Sequence, residues 1–524
     1  MLMPKQAEQS AWSWQLPDQP SARTRTAVKT TPQPQTFRRA VAYTVAGTAI
    51  PGLGLIAGRR RIIGSLILGL FAAALLALGV YAAFDREGLL ARVVDPTTLR
   101  LAAVALVVIG IVWVAVIIAS HLCLRGRATR GQRVIGGILV GVLSFAVAAP
   151  AAVAAHYSYV TASSVATVFQ SEKHTRSATR PTLDTGQAAP GPEDPWAGKA
   201  RLNVLLLGGD AGPGRMGTRT DTVILASINT RTGNTTLFSL PRNAARMPFP
   251  SSSPLHKYYP YGFTNGNGND PEHFLNAMYR NLPASVPKDV LGPTDNLGAD
   301  ALKLSVGEAL GLKVDYYVLI NLQGFSQMIN ALGGIRLNIN TYIPIGGNSD
   351  RGIPPKGFLK PGPDQHLDGY HALWYARGRY GSSDFDRMDR QRCVINAIIR
   401  QANPTNMLAR YEDVVRAGTQ LVYTDMPQEV LPLMVDLSLR VKDAKVRSVV
   451  FKHGVAGFYS TNPDFSMMRK RVKVALGEMK TPTPSPSPSG SATKKSSTPT
   501  QQSEDANDTC AFDPKTAATA RPYR

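Results

Sequence analysis

Residues 366–392 read HLDGYHALWYARGRYGSSDFDRMDRQR. The stretch sets Arg377, Arg379, Arg387, Arg390 and Arg392 beside Asp368, Asp384, Asp386 and Asp389. Asp368 has the chemistry of a helix N-cap, and Ala372, Leu373, Tyr375 and Ala376 follow at helical spacing, so a helix is predicted to end near Gly378. Arg377 and Arg379, two apart where the chain leaves that helix, project the same way if the exit is extended. Arg387 and Arg390 open a second apolar helix, with Val394, Ile395, Ala397 and Ile398, and share a face of it. Five guanidiniums drawn from one loop and one helix start make an anion site, because each planar fork pairs with two phosphate oxygens. The same run also describes a solvated, salt-bridged helix face. Sequence further upstream decides between the two.

Upstream, residues 201–207, RLNVLLL, form an apolar run that ends in GGDAGPGR and reads as a buried strand. Asp210 then stands at its C-terminal end, where open sheets bind ligands. The glycines are not a P-loop, which needs a following Lys-Ser/Thr, nor a dinucleotide fingerprint, whose spacing is absent. Residues 222–228 and 235–240 are strand-like and joined by TRTGN, a hairpin signal. Arg219 and Asp221 lead into the first of these strands and Arg242 leaves the second, so all three fall at one end of the sheet. Acids beside arginines in a phosphate site are costly unless a cation bridges carboxylate to phosphate, and Mg²⁺ does this with one or two carboxylates. Further on, Phe325, Met328, Ile329 and Leu332 recur at helical spacing, as core packing or as a wall of an apolar pocket. The Asn/Gly/Asp cluster GFTNGNGNDPEHF lacks the ordered acids of a calcium loop and reads as surface loop.

The N-terminal third is of another kind. Residues 1–39 are polar, basic and rich in Pro, Thr and Gln, and are expected to be a disordered tail. Residues 62–84, 101–122 and 134–155 each hold enough consecutive apolar residues to span a bilayer, and 40–57, broken by Pro51, Gly52 and Gly54, is either a re-entrant hairpin or a fourth span. Arg59, Arg60 and Arg61 precede the first clear span, and Arg125, Arg127, Arg130 and Arg133 fill the loop before the third. The positive-inside bias puts these on the cytoplasmic side and everything after residue 155 outside the cell. A formal charge of +22 suits nucleic acid, anionic membrane or anionic substrates. Arginines outside the cell remove nucleic acid from that set. Residues 156–200 read as a stalk, 201–478 as the external domain, and 479–524 as a Pro/Ser/Thr-rich linker or loose tail. Cys393 and Cys510 fall outside, where they either form one disulfide or stay two thiols.

Taken in order, NVLLLGGDAG, RTDT, SLPRN, YYVLINLQGFSQMINALGGI and the arginine stretch resemble the LytR-CpsA-Psr family of cell-envelope proteins over about residues 202–401. The resemblance implies an α/β domain with a mixed central sheet flanked by helices, preceded by a helical transmembrane region. It also implies an apolar pocket for a polyprenyl chain. The implied activity is Mg²⁺-dependent phosphotransfer of a glycopolymer from undecaprenyl pyrophosphate onto peptidoglycan, at the 6-hydroxyl of N-acetylmuramic acid. By that resemblance Asp210 and Asp221 are the metal acids. Arg219, Arg242, Arg377, Arg379, Arg387 and Arg390, with Gln391, bind the pyrophosphate; Arg377, Arg379 and Asp221 serve the chemistry; Phe325, Met328, Ile329 and Leu332 wall the lipid. Two departures stand out: Ala211-Gly212 follow Asp210 where the family has x-Arg, and Asn243 replaces its acid after Pro-Arg. They keep a second reading in view, a non-catalytic binder of polyprenyl phosphates.

Overall fold

The computed structural model describes residues 37–84, 92, 95–125, 129–181, 196, 198–210, 218–401, 422–479, 504–505 and 510–523. Most of the expected disordered tail, the 480–503 linker and Arg215 lie outside these residues. Two compact units are formed, 1–71 with 113–146 and 72–112 with 147–524.

In the first unit, α1 (Phe37–Ala49) and α2 (Leu53–Ala57) are separated by a turn at Pro51 and Gly52. Thirteen residues of helix rise about 20 Å, short of the roughly 30 Å of a bilayer core, so neither piece spans alone. Residues 37–39, expected in the tail, are the first turn of α1. Trp113 Nε1 donates to Thr48 O at 3.0 Å. Three helices are long and apolar enough to cross a membrane: α3 (Arg61–Phe84), α4 (Pro96–Leu124) and α5 (Arg130–Val168). The last corrects the expected stalk. Residues 156–168 continue α5, and 171–180 dock on the domain, where buried Asp300 accepts from Ser177 Oγ at 2.7 Å and from Ala178 N at 3.0 Å.

The second unit is built on a seven-stranded mixed sheet. Its strands are β1 (Arg201–Gly209), β2 (Thr220–Asn229), β3 (Thr235–Leu240), β4 (Tyr316–Asn321), β9 (Val422–Thr424), β10 (Val446–Val450) and β11 (Glu504–Asp505), ordered β11-β10-β3-β2-β1-β4-β9. β2 and β3 pair antiparallel as the hairpin reading expects, β1 also pairs antiparallel with β2, and β4 joins β1 in parallel. The ends of β1, β3 and β4 and the start of β2 therefore share one edge. Two small hairpin-like pairs lie apart: β5 (Ile335–Ile339) with β8 (Gly362–Leu367), and β6 (Ile343–Ile345) with β7 (Gly357–Leu359).

Because side chains alternate along a strand, the sheet has two unlike faces. Leu205, Leu207, Leu225, Phe238, Tyr317 and Leu319 are buried against α6 (Leu275–Ser285) and α7 (Leu297–Leu310). The opposite face, with Leu206, Val318 and Ile320, looks toward α8 (Leu322–Ala331), α9 (Gly369–Arg377) and α10 (Asp384–Gln401). α11 (Leu431–Asp443) covers its far end through Leu431 and Leu437, and α12 (Phe465–Ala475) joins the first core through Met468 and Val472. A last helix, α13 (Pro514–Thr519), corrects the loose-tail expectation for residues 510–523: Cys510 is disulfide-bonded to Cys393 and Asn338 Nδ2 donates to Cys510 O at 2.9 Å.

Candidate active site

α9 begins and ends where its residues dictate. Asp368 accepts from His371 N at 2.8 Å as N-cap, and Gly378 closes the helix. Gly369 crosses α8 so closely that a Cβ there would lie 1.9 Å from Ser326 O, which leaves glycine as the residue that fits. α10 starts on a reciprocal box: Ser383 N donates to Asp386 Oδ2 at 2.9 Å and Asp386 N to Ser383 Oγ at 3.1 Å. The short 378–383 loop runs between these fixed ends.

Sheet, α8, α9 and α10 enclose a cavity of about 860 Å³. One part is polar, lined by Asp210, Arg219, Asp221, Arg242, Asn276, Arg377, Arg379, Asp384, Arg387 and Gln391. The same lining also carries apolar side chains, Leu206, Val318, Ile320, Leu322, Phe325, Met328, Leu373, Trp374, Val394, Ile395 and Ile398. Charged groups gather at the edge where strands end, and aliphatic ones lie along the sheet face.

Asp384, which sequence reasoning left without a role, is the hub of the polar part. Arg242 Nε donates to its Oδ2 at 2.9 Å, Arg387 Nη1 stands 3.4 Å and Arg379 Nη1 3.8 Å from its Oδ1. Arg242 Nη1 also reaches Asp221 Oδ1 at 3.0 Å, and Asn276 Nδ2 lies 3.4 Å from the same oxygen. Asn243 thus leaves Arg242 with two acids from elsewhere in the chain. Burial works to raise the Asp221 pKa, but Arg242, Arg387 and the hydrogen bonds from Arg242 and Asn276 outweigh it and hold the carboxyl below its ordinary range. Burial works the other way on Arg387 and lowers its pKa, with Asp384 opposing. Its Nε is buried with no hydrogen-bond partner among the described residues, a donor left over for a ligand oxygen. Arg377 stacks over Trp374 at 4.9 Å, and Arg219 pairs with Glu272, another residue given no role in advance.

Four expectations need correction. Arg390 does not line the cavity: its Nε donates to Tyr375 O at 2.8 Å and its Nη2 to Gly378 O, so it ties down the end of α9. Arg392 pairs with Asp389 and bonds Ser448 of β10. Residues three apart on a helix diverge by about 60° from a shared line, enough here for Arg387 to face the cavity and Arg390 the α9 terminus. Ile329 is fully buried in the core of the small sheet with Ile335, Leu337 and Leu367, and Leu332 lies past the end of α8, outside the lining; Phe325 and Met328 do face the cavity.

Among the described residues no group of three or more metal-ligating side chains occurs. The fit to Mg²⁺ rests instead on the donor set. Asp210 and Asp221 line one cavity, Asp221 is held ionised, and Mg²⁺ commonly takes one or two carboxylates and completes its shell with water and phosphate. The two aspartates fit that chemistry.

Fold and cavity define an α/β domain, joined to apolar helices, whose site pairs an arginine-lined polar region with an apolar bed. The chain belongs to the LytR_cpsA_psr family, whose model matches residues 154–473. It is 29% identical over 237 residues to the Polyisoprenyl-teichoic acid--peptidoglycan teichoic acid transferase TagU of Oceanobacillus iheyensis, covering 44% of this chain and 61% of that one. The protein of the same name from Enterococcus faecalis is 29% identical over 239 residues, 44% of this chain and 62% of its own. The match therefore spans about three fifths of these relatives. Biofilm regulatory protein A of Streptococcus mutans is 27% identical over 45% of this chain and 52% of its own. Among solved structures, B. subtilis TagV aligns over 52% of this chain and 96% of its own, with 23% identity and a TM-score of 0.36.

Proposed function

We propose that this chain is a glycopolymer phosphotransferase of the cell envelope, moving a glycopolymer from a polyprenyl-pyrophosphate carrier onto peptidoglycan. The observation that carries the proposal is that one cavity is lined both by arginines that suit a diphosphate and by apolar side chains that suit its lipid tail. Transferase names among the relatives agree with it. The basic loop at 125–133 and the positive-inside bias favour a domain outside the cell, where peptidoglycan lies.

In this reading Leu206, Val318, Phe325, Met328 and Ile395 bed the polyprenyl chain, and burial of its methylenes anchors the substrate. Arg377, Arg379 and Arg387 take diphosphate oxygens, with Gln391 beside them, and Asp384 keeps the forks of Arg242, Arg379 and Arg387 aimed inward. An acceptor hydroxyl attacks the glycan-side phosphorus in line; a new O–P bond forms, the P–O bond to lipid phosphate breaks, and the hydroxyl proton passes to water. Guanidiniums placed before the reaction neutralise charge as it grows on the leaving lipid phosphate. Mg²⁺ held by Asp210 and Asp221 would add positive charge at those oxygens when bound. Asp221, with its lowered pKa and its bond to Arg242, suits that electrostatic role better than proton removal.

The test uses the purified full chain in detergent, a polyprenyl-pyrophosphate-linked oligosaccharide donor and peptidoglycan fragments, with and without Mg²⁺. Covalent transfer that requires Arg377 and Arg379 and rises with Mg²⁺ is the expected result. Tight donor binding with no transfer under any condition would replace the transferase by a carrier-binding scaffold.

A further inference from the structure

The C-terminal segment reaches the arginine loop from a separate direction. Cys510 is bonded to Cys393 on α10, between Gln391 and Val394 of the cavity wall. The segment is then laid along β5 and the residues after it: Asn340 Nδ2 donates to Ala511 O at 3.0 Å, and Asp513 N donates to Asn340 Oδ1 at 2.9 Å. Asp513 caps α13 by accepting from Lys515 N at 3.0 Å.

Beyond α13 the chain brings the Tyr523 ring onto Gly381. A Cβ built on Gly381 would lie 2.5 Å from Tyr523 Cδ1, and Gly381 has φ 70°, so glycine is needed both for the left-handed turn and for the ring. Gly381 is the middle of the 378–383 loop, flanked by cavity residues Arg379, Tyr380 and Ser382. Both loop ends are held by other means, Gly378 O by Arg390 and Ser383 by Asp386. The middle carries the Ser382 N to Arg379 O bond of 2.9 Å and the Tyr523 ring.

We propose that Tyr523, tethered through the Cys393–Cys510 disulfide, is a positioning residue for Arg379, its ring seating the 378–383 loop so that the guanidinium stays on the Asp384 hub. The structural half of this proposal is independent of the reaction; its kinetic consequence rests on the phosphotransferase reading.

Hydrogen exchange and turnover of the full chain test it together, comparing wild type with and without a thiol reductant, Tyr523→Ala, Tyr523→Phe and Cys510→Ser. Exchange at residues 379–383 rises about ten-fold in Tyr523→Ala and in reduced wild type, stays at the wild-type level in Tyr523→Phe, and is unchanged at 223–240. Turnover in Tyr523→Ala falls on the order of ten-fold and donor binding weakens in the same sense as in Arg379→Ala, while Tyr523→Phe keeps both at the wild-type level, as displacement of one donor by loss of the ring does. Loop exchange in Tyr523→Ala equal to wild type overturns the proposal, and so does a rise spread evenly over the sheet. A loop that responds as described in a chain with no transfer activity supports the positioning role and removes only the phosphotransferase reading.

Discussion

The two faces of the central sheet come from the same strands and differ in what lies across from them. Leu205 of β1 and Tyr317 and Leu319 of β4 are sealed under α6 and α7, whereas their neighbours Leu206, Val318 and Ile320 look into open volume. One residue of register thus separates a core from a binding bed. The second face is itself packed at Leu202, Val204, Ile224 and Leu237 and leaves apolar side chains facing a cavity around Leu206, Val318 and Ile320, the kind of surface that marks a binding site.

Breaking the sealed face gives the largest expected effect. Phe238→Ala removes a fully buried ring and costs about 3–5 kcal/mol of stability, read by denaturant unfolding, with activity per folded molecule retained at low temperature. An equal loss of specific activity in the folded fraction would mean that the faces are not separable. Next comes the polar part of the open face. Arg377→Ala or Arg379→Ala lowers turnover on the order of a hundred-fold, about 2.7 kcal/mol, with unfolding unchanged; unimpaired transfer by both variants would remove them from the site.

A smaller effect sharpens the apolar half. Met328→Trp fills part of the lipid bed and raises KM for a long-chain donor roughly ten-fold, as loss of about 1.5 kcal/mol of apolar burial does, while a short-chain donor is unaffected. Equal change for both donors would place the lipid elsewhere. The smallest effect is in pH. The Asp221 pKa is lowered in the folded chain, so its contribution is complete above the ordinary carboxylate value and is lost only as pH falls through the lower, folded one. Stability of wild type therefore declines below about pH 4, and Asp221→Asn flattens that part of the curve; an identical decline in the variant would assign it to other acids.

What could be read in the sequence was local. The β1 run, the TRTGN hairpin, the Asp368 cap and the Gly378 stop each follow from neighbouring residues, and each stands where those residues put it. The strand ends then brought Asp210, Arg219, Asp221 and Arg242 to one edge without further information. Asp384 escaped notice because the partner that gives it meaning, Arg242, is 142 residues away. Ile329 and Arg390 were misplaced for a related reason: helical spacing says which residues lie near one line, not which of two neighbouring elements each will meet. Residues 510–523 follow a Pro/Ser/Thr run with no periodicity of its own, so the sequence offers their return to α10 only as one of two alternatives for Cys393 and Cys510, and the disulfide is the one the structure takes.

The account is tested most directly by titrating the full chain in detergent with three probes: a polyprenyl pyrophosphate, the matching polyprenyl alcohol and inorganic pyrophosphate. It predicts tight, saturable binding of the first alone, weakened separately by Arg379→Ala at the head and Met328→Trp at the tail. Equal binding of pyrophosphate without the lipid, or of the alcohol without the phosphates, would contradict it.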